Sequence, residues 1–156
     1  MKKLYFLFAI IILATLMLIW PSGLNFFNCK PDLLLIFVVS LVFYTDFKTT
    51  LFFSILSGLA KDLFLPWHLA INTLSFCIWS YLVYRLSRQI STENDYVRLA
   101  IILVVALLNN FIFGLISISS GNILPAGIFL RNLIIISGYT CFLSPLVFKL
   151  TKKIAA

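Results

Sequence analysis

Uncharged, mostly apolar runs alternate along the chain with short clusters of charge: Leu4 to Trp20, Leu33 to Thr45, Thr49 to Ala60, Leu63 to Leu82, Leu99 to Leu130 and Asn132 to Phe148. The fourth contains His68, and the fifth is interrupted by the polar stretch Ser119 to Asn122. A helix rises about 1.5 Å per residue and the hydrocarbon core of a bilayer is about 30 Å thick, so a span takes about 20 residues. The first, fourth, fifth and sixth runs meet that length. The second and third are short, and together they occupy Pro31 to Pro66 with Asp46 and Lys48 between them. One continuous helix would leave both charges at mid-membrane; a hairpin with Thr45 to Lys48 at its tip places them at the interface. The pattern therefore predicts an all-α, polytopic bundle of six transmembrane helices in a single domain, with spans near residues 4–20, 32–45, 49–65, 67–84, 99–118 and 130–148.

Composition removes the alternatives. The chain has 156 residues, 62% hydrophobic and 11% charged, with 16 Phe, whereas a soluble domain averages about 45–50% apolar and about 25% charged. So small a globule cannot hide that much apolar surface from water. Cys29, Cys77 and Cys141 are scattered and odd in number, which excludes a disulfide-stapled fold. The formal net charge of +7 does not mark a nucleic-acid binder, because Lys and Arg sit at the ends of apolar segments rather than on one exposed face. That is the membrane distribution, since Arg at the centre of a spanning helix costs about 2.5–3.5 kcal/mol.

Orientation follows from the same residues. With the N-terminus inside, Lys2, Lys3, Lys48, Arg85, Arg88, Arg98, Lys149, Lys152 and Lys153 collect on the cytoplasmic side, and Lys30, Lys61 and Arg131 on the other. Such a bias requires an even number of crossings, with both termini cytoplasmic. The first run is longer than a signal-peptide core and Trp20, Pro21 and Ser22 make no small-x-small cleavage site, so it reads as a retained helix.

Catalytic motifs are missing from the sequence. His68 is the single histidine, no C-x-x-C, G-x-S-x-G or phosphate-binding glycine loop is present, and no metal or cofactor is expected. Pro31 and Asp32 suit the first turn of the second span, where the missing amide is not needed and a carboxylate meets the positive end of the helix dipole. Ser54, Gly58 and Asp62 fall at i, i+4 and i+8, a small-residue stripe on the third span that allows close helix approach. The stripe is expected to receive a helix of another protein, so that Gly58→Leu would break association without unfolding the chain. In the fifth span Ala106, Asn110 and Gly114 form a similar row beside Asn109, with the amides as interhelical glue. Ser137, Cys141 and Pro145 line one face of the sixth, where Pro145 deprives the Cys141 carbonyl of its helical donor and predicts a kink. Arg131, at the start of that span, is the candidate counter-ion for Asp62 or Asp32. Asp62, His68, Asn72 and Arg131, with Thr73 and Ser75 nearby, are the one constellation that resembles a polar ligand pocket.

Lys30-Pro31-Asp32-Leu33-Leu34-Leu35, a long apolar run, a short tip and then Ser57-Gly58-Leu59-Ala60-Lys61-Asp62-Leu63 resemble the rod shape-determining MreD family. The size, the six-span plan and Pro145-Leu146 late in the last span are similar to it too. The resemblance implies a non-enzymatic scaffold subunit of the bacterial cell-elongation and peptidoglycan-synthesis complex in the cytoplasmic (inner) membrane. It implies MreC as partner and, through MreC, the MreB filament and RodA with its transpeptidase. It also marks Pro31, Asp32, Gly58 and Asp62 as family positions. A likeness in fold to the S-component, the substrate-binding subunit of vitamin transporters, supplies the alternative function of a small-molecule carrier.

Overall fold

The computed structural model describes residues 2–19, 29–64, 70–90, 93–121 and 125–155. They form six helices: α1 (Lys2–Leu18), α2 (Leu33–Tyr44), α3 (Phe47–Phe64), α4 (Ile71–Gln89), α5 (Asp95–Ser119) and α6 (Ala126–Ala155). His68, with Pro66 and Trp67, lies outside the described residues.

α2 is the axis of the bundle. Its 12 residues are apolar on every side apart from Ser40, and Leu33 through Val42 are all buried. A helix without a polar face gains most when surrounded, and α2 touches each of the other five. α3 folds back on it through Thr45 and Asp46, the tight tip the sequence predicts. There the Thr45 and Thr50 hydroxyls bond at 2.9 Å and the Thr45 amide closes on the Leu41 carbonyl, also at 2.9 Å. α6 runs parallel to α2: the Asp32 amide donates to Thr140 Oγ1 at 3.2 Å, and further along Ser40 and Thr151 share a hydroxyl hydrogen bond of 2.7 Å. α3 packs most closely on α4, and α5 on α6.

Two helices, α5 and α6, are long and apolar enough to cross a membrane by length and composition. The outside of the bundle is apolar. Tyr5, Phe8, Ile11 and Ile12 of α1, Val104, Leu108, Phe111 and Leu115 of α5, and Phe142 and Leu146 of α6 are exposed, while Ser40, Ser54, Ser57, Asp62, Asn72, Asn109 and Ser144 are buried. Buried polar groups behind an apolar exterior are the arrangement that lipid, not water, rewards.

α5 and α6 start earlier than the apolar runs that predict them, and α6 also extends further, through Lys149, Lys152 and Lys153 to Ala155. Hydropathy marks where lipid contact ends; backbone hydrogen bonding carries a helix on into the interface. Pro145 does not interrupt α6. The Ser144 hydroxyl donates to the Cys141 carbonyl at 2.7 Å, replacing the donor that proline removes.

Candidate functional site

The predicted site residues fall along a polar seam through the bundle. At its head, Asp32 is the N-cap of α2, its Oδ1 accepting from the Leu35 amide at 3.2 Å. Pro31 stands one residue before the cap rather than in the first turn. The second Asp32 oxygen pairs with Lys61 of α3, a bridge whose side chains are only 14% and 8% exposed. Lys61 also lies over the Phe76 and Phe113 rings, 5.2 and 5.7 Å from their centroids. The counter-ion expected at Arg131 is therefore Lys61. Arg131 is on the exposed first turns of α6, within electrostatic reach of Cys29. Burial pushes the Cys29 thiol above its ordinary value against the pull of Arg131, and its sulfur contacts Asn132 Oδ1 at 3.5 Å.

Asp62 ties α3 to the start of α4. Helix α4 begins after Ala70, whose left-handed backbone (φ 71°) and methyl side chain supply no capping oxygen. The first amides of a helix need acceptors, and Asp62 provides them from the neighbouring helix. Its Oδ1 accepts from the Asn72 amide at 3.1 Å and Asn72 Nδ2 at 2.8 Å; its Oδ2 accepts from the Thr73 amide at 3.0 Å and Thr73 Oγ1 at 2.6 Å. A carboxylate at a helix N-terminus also complements the dipole. The same joint explains Gly58: a Cβ there would collide with the Thr73 backbone, standing 2.9 Å from its nitrogen. Ser54, buried on the same stripe, donates to the Thr50 carbonyl at 2.8 Å. The small-residue stripe thus faces α4 of its own chain rather than a foreign helix, and a leucine at position 58 would disrupt the fold.

Deeper in the seam, Asn109 Oδ1 accepts from Ser75 at 2.7 Å and from the Trp79 indole at 3.1 Å, joining α5 to α4. Asn110 Nδ2 donates to Ser137 Oγ at 3.1 Å, joining α5 to α6. Gly114 makes room for the Phe129 ring, and the Cys141 thiol lies 3.8 Å from the Leu99 carbonyl. Sequence reasoning placed Thr73 near Asp62 and read Asn109 as interhelical glue without their partners, and it missed Lys61 as the counter-ion of Asp32 and the Ser40–Thr151 contact. Lys61, adjacent to Asp62 and 29 residues from Asp32, carried the only signal, as a charge near an otherwise apolar segment.

Of the polar-pocket constellation, the structure brings Asp62 and Asn72 together, His68 lies outside the described residues, and Arg131 acts electrostatically on Cys29. The four hydrogen bonds to Asp62 are internal, so its chemistry is to fasten helices. Among the described residues no group of three His, Cys, Asp or Glu side chains assembles.

Buried polar cross-links inside an apolar exterior define a helical membrane protein. The family model described as rod shape-determining protein MreD matches residues 1–154, and the chain belongs to the MreD family. No curated protein and no solved structure matches it.

Proposed function

We propose that the protein is a non-enzymatic scaffold subunit of the bacterial cell-elongation complex, with all six helices crossing the cytoplasmic membrane and both termini inside. In this reading it binds MreC and, through MreC, is linked to the MreB filament and to RodA with its transpeptidase, the proteins that build rod-shaped peptidoglycan. The family match across all six helices carries the reading. The structure adds a physical support: the Asp32, Asp62 and Asn109 side chains find their partners within the bundle, leaving the apolar outer faces of α1 and α5 for lipid and for helices of other proteins.

The carrier alternative needs Asp62, His68, Asn72 and Arg131 open to a solute. Asp62 and Asn72 are instead bonded to each other and are 2% and 1% exposed, so no observation favours it.

The test is cellular. In a rod-shaped host depleted of its own MreD, expression of this chain should restore rods, and MreC should co-purify with it in mild detergent. Round cells despite normal membrane levels, or MreC absent from the purified material, would count against the scaffold.

A further inference from the structure

A cleft of about 250 Å³ opens at the end of the bundle where α5 begins and α6 approaches its close. Tyr44, Arg98, Leu99, Phe148, Lys149 and Lys152 line it. Arg98 is fixed in place: its Nη1 donates to the Tyr44 hydroxyl at 3.0 Å, and its guanidinium lies over the Tyr44 and Phe43 rings, 5.4 and 5.9 Å from their centroids. Asp95 is the acid at the rim, 3.3 Å from Arg98 and 88% exposed. Among the described lining residues, three cations against one solvated carboxylate leave the cleft positive. A held guanidinium with two ammonium groups is the donor set that recognises phosphate. Leu99 and Phe148 add apolar lining. The volume is below the about 300–1,000 Å³ of pockets that enclose whole drug-sized ligands, which suits a headgroup better than an entire molecule. The cleft lies at one end of the two longest apolar helices, the level at which basic pockets meet lipid headgroups.

We propose that this cleft binds an anionic phosphate group, either the headgroup of an acidic phospholipid or free phosphate. The proposal rests on the membrane placement described above and is independent of any association with MreC.

The purified chain in detergent is titrated with phosphatidylglycerol, phosphatidylcholine and inorganic phosphate, following the thermal unfolding midpoint and, by native mass spectrometry, the lipid retained. Phosphatidylglycerol should be retained over phosphatidylcholine and should raise the midpoint. Lys149→Gln with Lys152→Gln should weaken that binding about 25-fold, roughly 5-fold for each charge lost. Lys48→Gln with Lys153→Gln, which removes equal charge outside the cleft, should leave it unchanged, and Lys149→Arg with Lys152→Arg should retain it. If the double glutamine variant fails to fold, Lys152→Gln alone carries the test at about 5-fold. A shift with inorganic phosphate that the glutamine variant abolishes assigns the site to the free anion; a shift with phosphatidylglycerol alone assigns it to lipid. Equal losses in the two glutamine pairs, or no preference for phosphatidylglycerol together with no response to phosphate, would overturn the proposal.

Discussion

Gly58 and Gly114 both sit where helices meet, yet their neighbours differ in what can yield. A methyl at 58 meets the Thr73 backbone, whereas a methyl at 114 meets the rim of the Phe129 ring, which can rotate away. Gly58→Ala should therefore lower stability by about 1–3 kcal/mol, the usual cost of overpacking, and Gly114→Ala by clearly less, measured by thermal unfolding in detergent. The Asp32–Lys61 pair calls for a different test. Lys61→Met leaves a mostly buried carboxylate unpaired and should cost near the low end of about 3–5 kcal/mol, because both side chains retain some solvent. Asp32→Asn keeps the cap of α2, and the double variant should be more stable than Lys61→Met alone. Additive losses would show that the two do not interact. At this scale the sequence singled out Asp62, Gly58 and Asn110 by spacing, but spacing shows which residues share a face and not what that face meets.

The joint between α3 and α4 shows how one element depends on another. Asp62 accepts the first amides of α4 in place of the side-chain cap that Ala70 cannot supply. In Asp62→Asn one of the two oxygens becomes an amide that faces donors instead of accepting from them. The expected loss is about 1–3 kcal/mol, from a backbone donor left unsatisfied in a buried site; circular dichroism melts of the variant in detergent check it. Ala70→Gly should be neutral or slightly stabilising by the same measurement, since glycine accepts φ 71° without strain. The number and order of helices, and the hairpin tip near Thr45, were legible as runs of apolar residues broken by charge. The central position of α2 was not: a helix apolar all round fits a protein interior and lipid equally well, and only the packing of the other five helices distinguishes the two. The continuation of α6 to Ala155 was hidden for a related reason, since Lys149, Lys152 and Lys153 end a hydrophobic run without ending a helix.

Across the whole molecule, charge is sorted between the two ends. The Phe47 and Tyr84 rings lie 4.8 Å apart, Arg98 reaches the Tyr44 hydroxyl at 3.0 Å, and the Tyr44 and Phe148 rings are 6.4 Å apart. These contacts bring Lys48, Arg85, Arg88, Arg98, Lys149, Lys152 and Lys153 to one end of the bundle. Lys61 and Arg131 lie toward the other, near Asp32 and Cys29 respectively. That sorting was legible from loop charges, and the family from the motifs around Asp32 and Asp62; long-range pairs such as Ser40 with Thr151, 111 residues apart, were not, because their register depends on the assembled bundle. The scaffold reading requires the basic end to face the cytoplasm, with the α2–α3 tip among it. The direct measurement places a single cysteine at Lys48, in a chain otherwise free of cysteine, and labels it with a membrane-impermeant maleimide. Labelling in inside-out vesicles and protection in intact spheroplasts is the predicted result; labelling in intact spheroplasts would contradict it.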